Sequence, residues 1–210
     1  MIRLFIADDH PIVREGLKRI IAECSDMELV GEAVNGDQVL ARCTRDIVDV
    51  LLLDISMPGL GFFEIIRRLR LKRPELRILV LSIHSEDHYA VRSIRAGAAG
   101  YLSKERSSEE LAEAIRHVYR GKTYVTATLA EKLVLELDPG QKKQVHEMLS
   151  DREYQIFRLL GSGKRITDIA AEVALSPKTV STYRTRIFQK MNFRNMAELI
   201  RYAVENNLAD

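Results

Sequence analysis

Five short apolar runs, each followed by an amphipathic segment, constrain this 210-residue chain more than any other feature. The runs lie at 4–7, 29–33, 50–53, 78–81 and 100–102. Between them apolar residues recur at helical spacing. Continuous apolar strands without alternation belong to parallel sheets covered on both faces, so the pattern predicts an α/β fold with a doubly wound, five-stranded parallel sheet. In the first helical segment Pro11 suits the first turn, and Val13, Leu17, Ile20 and Cys24 form one stripe. Ser107-x-x-Glu110 is a capping-box signature for the fifth, which runs to about Arg120 before Gly121.

The character of the chain then changes. A short helix is expected at about 129–137, followed by Asp138-Pro139-Gly140-Gln141-Lys142-Lys143, which reads as a connector. Four helical segments with start signals at Ser150-x-x-Glu153, Ile166, Ser176-Pro177 and Asn195-x-x-Glu198 follow, with no strand pattern. The expected organisation is a first domain over 1–120, a partly helical linker over 121–147 and a smaller all-α domain over 148–210. Two short helices joined by Ala174-Leu175-Ser176 suggest a helix-turn-helix.

With 46% hydrophobic and 30% charged residues, the chain is neither disordered nor fibrous. No apolar run approaches the roughly 20 residues of a membrane helix, and Asp8-Asp9 interrupts any signal-like core, so a cytoplasmic protein without a membrane partner is expected. Cys24 and Cys43 lack metal-type spacing and read as ordinary core thiols in helices.

In a doubly wound sheet the residues just after each strand converge. Here those positions are Asp8-Asp9, Asp54, Ser82 and Lys104. Three carboxylates brought together repel unless a cation joins them, and Mg²⁺ takes oxygen ligands while keeping several waters. Asp54, alone at the middle strand's end, is the candidate nucleophile for an aspartyl-phosphate. Mg²⁺, the Lys104 ammonium and the Ser82 hydroxyl would neutralise the transferred group. Each Asp taken singly reads as a cap or loop residue; it is their joint placement that points to a site. His10 reads either as an acid or base or as a helix-entry residue before Pro11. His84 and His88 are four apart, as metal ligands on a helix would be, but His84 falls in a loop.

Residues 149–210 hold ten basic against seven acidic side chains, whereas 1–120 hold 18 against 19. Residues 176–194 contain no acid at all. On the helix opened by Pro177, Val180, Tyr183, Ile187 and Met191 fall on one side, and Lys178, Ser181, Thr182, Thr185 and Gln189 fall opposite, with Arg186 at the edge. Such a face is either simply solvated or a recognition surface for double-stranded DNA. On the second reading Ser181, Thr182 and Thr185 contact bases, and Lys178, Arg184, Arg186 and Lys190 contact the backbone. One recognition helix per chain leads to the expectation of a homodimer on two half-sites.

Several stretches carry a family resemblance: Ala7-Asp8-Asp9-His10-Pro11, Leu53-Asp54-Ile55-Ser56-Met57-Pro58-Gly59, Leu81-Ser82 and Gly97-Ala98-Ala99-Gly100-Tyr101-Leu102-Ser103-Lys104. Through them residues 1–120 resemble a receiver domain. Leu149-Ser150-Asp151-Arg152-Glu153, Ile169-Ala170 and Leu175-Ser176-Pro177-Lys178-Thr179-Val180 resemble the LuxR-type helix-turn-helix, and the whole chain resembles the NarL/FixJ family of two-component response regulators. The resemblance implies that Asp54 accepts phosphate from a sensor histidine kinase. It also implies that Asp8, Asp9 and the main-chain carbonyl of Ser56 help hold Mg²⁺, and that Ser82 and Tyr101 form a switch pair. The last helix, with Leu199, Tyr202, Ala203 and Asn206 on one side, resembles the family's dimer contact; contact with the transcription machinery is a further possibility.

The chain departs from the family at two places. Eight residues after Asp54, where the family usually has Gly, stands Phe62. A bulky residue there either strains a turn that needs positive φ or simply begins the next helix. Tyr183 stands where the commonest pattern has His. Two other functions stay open. One is a phosphotransferase or phosphatase using Asp54, against which stand the absence of a D-x-D pair, since position 56 is Ser, and of a P-loop. The other is a phosphorylation-independent DNA-binding regulator with a degenerate receiver.

Overall fold

The computed structural model describes residues 1–82, 89–135, 145–206 and 208–209. His84, His88 and the connector at 138–143 lie outside the described residues. The chain divides into two compact units, Met1–Asp138 and Pro139–Asp210. Among the described residues no helix is long and apolar enough to cross a membrane.

The first unit has strands β1 (Ile2–Ala7), β2 (Met27–Ala33), β3 (Val50–Asp54), β4 (Arg77–Ser82) and β5 (Gly100–Ser103). All pair in parallel, in the order β2-β1-β3-β4-β5. Helices α1 (Pro11–Ala22), α2 (Gly36–Cys43), α3 (Phe62–Lys72), α4 (Tyr89–Ala96), α5 (Ser108–Tyr119) and α6 (Ala127–Leu135) complete it. Leu4, Ile6, Val50, Leu52, Leu79, Leu81 and Leu102 form one face of the sheet and pack with Leu17 and Ile21 of α1 and with Leu111, Ile115 and Val118 of α5. Burial is worth about 1.5–3 kcal/mol for each such side chain. The strands are therefore buried on both faces, as their unbroken apolar runs require.

The departures from the sequence reading are local. Strand β2 begins two residues earlier than its apolar run, because Ile2 and Arg3 of β1 already pair with Met27 and Glu28. Cys24 lies in the turn after α1, half-buried, whereas Cys43 ends α2 and is buried. Burial pushes the Cys43 thiol up to about 12, so it stays protonated and unreactive. Phe62 opens α3 directly after the N-cap Gly61, so it adopts ordinary helical backbone rather than a strained turn.

Helix α6 belongs to the first unit and packs on α4. The chain leading to it is tied to the sheet's edge. The Tyr124 N–H donates to Ala99 O at 2.9 Å, and the Tyr101 N–H donates to Tyr124 O at 3.2 Å. Between those bonds Gly100 leaves no room for a side chain: a Cβ there would sit 2.9 Å from both Tyr124 O and Leu79 Cδ1.

The described residues of the second unit comprise a short 3₁₀ turn (Val145–Met148) and α7 (Asp151–Gly161), α8 (Ile166–Glu172), α9 (Pro177–Met191) and α10 (Met196–Glu205). Ser150 and Glu153 form a complete capping box at the start of α7. Tyr154, Ile156, Phe157, Leu160, Ile169, Val180, Ile187, Leu199 and Ala203 make the core. The turn from α8 to α9 places Ala174 at φ +51°.

Helices α7 and α10 approach so closely that a Cβ on Gly161 would lie 2.7 Å from Ala203 Cβ. Neither atom can rotate away, so Gly161→Ala forces the helices apart. The expected loss is about 1–3 kcal/mol from overpacking, more than the ~1 kcal/mol gained in helix propensity. Urea unfolding of the two proteins measures it.

Candidate functional site

Strand order places the reversal of connection between β1 and β3, and in such sheets ligands bind at the carboxyl ends of the strands flanking that point. Asp8 follows β1 and Asp54 ends β3; both side chains are 1% exposed. Lys104, just past β5, reaches across to them. Its Nζ stands 2.6 Å from Asp8 Oδ2 and 2.9 Å from Asp54 Oδ1. Lys104 is fixed in turn by its backbone N–H, which donates to Ser82 O at 2.7 Å. Arg14 of α1 donates from Nη1 to Asp8 O at 2.8 Å, holding the end of β1.

Four groups converge beside this pair. Single ligand atoms of Asp8, Asp9, His10 and Asp54 all lie within 4.8 Å of one another. Asp54 Oδ2 is buried without a hydrogen-bond partner. A buried oxygen facing other carboxylates is costly unless a cation or a proton satisfies it. Burial, the largest influence, accordingly raises the Asp54 carboxyl above the usual aspartate value, against the pull of Lys104. Burial works against the charge of Lys104 too, but Asp54 and Asp8 outweigh it and hold the ammonium above the usual lysine value. The donor set of oxygens with one exposed edge fits a hard divalent cation.

The remaining expected residues fall nearby. Ser82 is buried at the end of β4, one residue beyond Leu81, which pairs with Asp54. Tyr101 on β5 is fully buried. Because Ser82 pairs with Ser103, Tyr101 lies on the same face of the sheet as Ser82. Ser56 lies exposed in the bend after β3. Phe62 and Phe63 are buried at the head of α3 against Tyr89 of α4, with ring centroids 5.6 and 6.2 Å from it. The departure from the family's glycine therefore leaves the acidic cluster whole.

In the second unit Ser176 caps α9 by accepting the Thr179 N–H at 3.0 Å, and Pro177 is its first residue. Val180, Ile187 and Met191 are buried, and Tyr183 is half-buried. Lys178, Thr182, Thr185, Arg186, Gln189 and Lys190 are exposed; Ser181 and Arg184 are partly covered. The hydroxyls of Thr182 and Thr185 donate to Lys178 O and Ser181 O, leaving their lone pairs outward. The Arg186 guanidinium lies 5.8 Å from the Tyr183 ring centroid, a cation–π placement. Lys190 has a partner within the chain, since its Nζ donates to Glu153 Oε2 at 2.7 Å. That bond and the capping box hold the Glu153 carboxyl below its usual range despite its burial.

The four α10 residues expected at a dimer contact differ in exposure, Tyr202 and Asn206 being partly exposed. Leu199 and Ala203 are fully buried in the unit's own core, Tyr202 packs among His146, Phe157 and Phe193, and Asn206 Nδ2 donates to Tyr202 O. A helical unit this small needs the strongest apolar stripe of its last helix for itself. The outward stripe is Ala197, the partly exposed Ile200, Arg201 and Val204, the last 59% exposed. His10, read from the sequence either as an acid or base or as a helix-entry residue, lies in the acidic cluster. The Lys190–Glu153 pair escaped the sequence reading, since a separation of 37 residues leaves no local sign.

Residues 4–116 match the response regulator receiver domain family, and residues 147–203 match the luxR family of bacterial regulatory proteins. The chain is 36% identical over 211 residues to the response regulator UvrY of Escherichia coli strain K12, covering all of this chain and 97% of UvrY. It is equally 36% identical to the response regulator GacA of Pseudomonas aeruginosa, with 100% and 99% coverage. Among solved structures, the RcsB response regulator of Salmonella typhimurium, described in terms of conformational dynamism for DNA interaction, aligns over 97% of this chain and 100% of its own. The TM-score is 0.62 at 25% identity. The paired domains and the full-length likeness lead to one conclusion: this chain belongs to the NarL/FixJ family of two-component response regulators, transcription regulators that join a receiver domain to a LuxR-type DNA-binding domain.

Proposed function

We propose that Asp54 accepts a phosphoryl group from a sensor histidine kinase, and that the added charge controls dimerisation and sequence-specific binding to double-stranded DNA. The observation that carries this reading is the buried Asp54 carboxylate, ion-paired on one oxygen by Lys104 and without a hydrogen-bond partner on the other. A carboxylate oxygen bonds to phosphorus as the P–N bond of the donor's phosphohistidine breaks. Lys104 then pairs with a phosphoryl oxygen, and the Ser82 hydroxyl donates to another. As Ser82 turns toward the phosphoryl group, Tyr101 follows on the same face of the sheet. Asp8, Asp9, Asp54 and the main-chain carbonyl of Ser56 would hold Mg²⁺, which when bound supplies charge neutralisation at the phosphoryl oxygens. The protein acts on no substrate beyond its own aspartate, so it is a switch rather than an enzyme.

In this reading residues 1–120 receive the signal, 121–147 connect, and 148–210 read DNA. Ser181, Thr182 and Thr185 contact base edges, while Lys178, Arg184, Arg186 and Lys190 contact phosphates, Lys190 in exchange for its bond to Glu153. The likeness to RcsB, whose structure is described for DNA interaction, supports this assignment. Of the expected α10 dimer residues Leu199, Tyr202, Ala203 and Asn206, the partly exposed Tyr202 and Asn206 can meet a second copy, and Ala197, Ile200 and Val204 extend that surface. The protein works in the cytoplasm, where contact with the transcription machinery follows DNA binding.

Arg186→Ala is expected to weaken binding to all DNA sequences alike and to lower the slope of log affinity against log salt by about one phosphate contact. Titrations at several salt concentrations check it. The proposed switch is tested by light scattering of the protein with acetyl phosphate and Mg²⁺. A shift from monomer to dimer that requires both additives is expected, and an unchanged size with stoichiometric phosphorylation counts against it.

A further inference from the structure

We propose that His10 is a nitrogen ligand of the divalent ion held by the acidic pocket, so that the pocket takes imidazole-preferring ions more tightly than an all-oxygen site would. This rests on the metal-binding reading of Asp8, Asp9 and Asp54 given above and adds a residue and a selectivity to it.

His10 is the residue before α1, yet its side chain makes no capping bond there. Only its main chain serves the helix, with His10 O accepting the Arg14 N–H at 3.1 Å. The ring turns instead into the acidic cluster. Its Nδ1 stands 3.0 Å from Asp9 Oδ1 and 3.3 Å from Asp8 Oδ1. Adjacent ligands of an octahedral ion with bonds near 2.1 Å lie about 3.0 Å apart, so these atoms are already spaced as neighbours around one centre. Two further facts point to a cation there. Lys104 engages Asp8 Oδ2 and Asp54 Oδ1 but not Asp54 Oδ2, and Asp8 Oδ1, which accepts the His10 N–H at 2.8 Å, lies beside the His10 ring. Asp54 Oδ2 is buried and has no hydrogen-bond partner. The His10 side chain is 60% exposed, and imidazole can bind a metal through either ring nitrogen.

An imidazole changes which ions a site prefers. Carboxylate, carbonyl and water ligands suit Mg²⁺ and Mn²⁺, whereas a ring nitrogen shifts preference toward Zn²⁺ and its neighbours. Mg²⁺ keeps several waters and has little to lose if one ligand position returns to water. Removing the ring should therefore separate the ions.

The experiment compares the full-length wild-type chain with His10→Gln, which keeps a polar side chain of similar reach and, being largely exposed, leaves the core untouched. Mg²⁺ and Zn²⁺ affinities are measured by calorimetry, and Mn²⁺-loaded samples by electron spin-echo spectroscopy for a directly bound nitrogen. The expected result is a nitrogen coupling in wild type that is absent in His10→Gln, and a Zn²⁺ affinity at least about tenfold weaker in the variant, with Mg²⁺ affinity within about twofold. A wild-type spectrum without nitrogen coupling, or equal Zn²⁺ affinities, overturns the ligand role and leaves His10 as a hydrogen-bonding neighbour of Asp8. Failure of the underlying reading looks different: Mg²⁺ affinity would then be unmoved by Asp54→Ala.

Discussion

Asp54→Asn is expected to take up no phosphoryl group from acetyl phosphate in the presence of Mg²⁺, whereas the wild-type chain gains the mass of one. An amide lacks the anionic oxygen that bonds to phosphorus, and among the described residues no other carboxylate combines burial at the middle strand's end with the Lys104 contact. The same variant should fold at least as well as wild type. Burial holds the Asp54 carboxyl above its usual value, so its ionisation opposes folding: that cost is absent below the ordinary aspartate value, grows as pH rises above it and is complete once pH has passed the raised pKa. At neutral pH without divalent ions, Asp54→Asn should therefore show an unchanged or higher thermal midpoint. Intact-mass measurement and a melting curve decide the two halves separately. Phosphoryl uptake by the variant would move the acceptor elsewhere, and a large fall in midpoint would mean that Asp54 serves the fold.

Lys104→Met is expected to produce the opposite pattern. The ammonium is held above its usual lysine value, because Asp54 and Asp8 outweigh the cost of its burial. Such a group stabilises the fold below the ordinary lysine range, and that contribution is lost only as pH rises through the raised value. Removing it leaves two carboxylates, each 1% exposed, facing one another without their common cation. Breaking a buried pair in this way costs about 3–5 kcal/mol. Added Mg²⁺ should return part of the loss, since an ion that binds only the folded state stabilises it by mass action. Denaturant titrations with and without Mg²⁺ give both quantities. A loss below about 1 kcal/mol, the range of an exposed pair, would mean that Lys104 does not hold the pocket together.

Much of the fold and its acidic site was legible because the two rest on the same pattern. The apolar runs ending at Ala7, Leu53 and Leu81 are the strands β1, β3 and β4, and a parallel sheet brings the residues after them to one edge wherever they lie in the chain. The helix starts at Ser150, Ser176 and Asn195 were equally legible, since each cap is a local bond from a side chain to the backbone three residues on. What escaped depends on tertiary contacts. The stripe of Leu199 and Ala203 looks the same in sequence whether it faces its own domain or a partner; Gly161, lying against Ala203, decides for the domain. The strand-like tie at Tyr124 consists of two bonds to the β5 edge and has no apolar run to announce it. Of the two readings of Phe62, a strained turn or the start of the next helix, the second is the one found, with Gly61 as N-cap and the ring buried.

The most direct measurement is the DNA-binding isotherm of one protein preparation before and after treatment with acetyl phosphate and Mg²⁺, with Asp54→Asn carried in parallel at fixed salt. Tighter and steeper binding after treatment in wild type alone is the expected result, since a dimer engages two half-sites and the variant cannot be charged. Identical isotherms before and after stoichiometric phosphorylation would contradict the link between the aspartate and the DNA-reading helix.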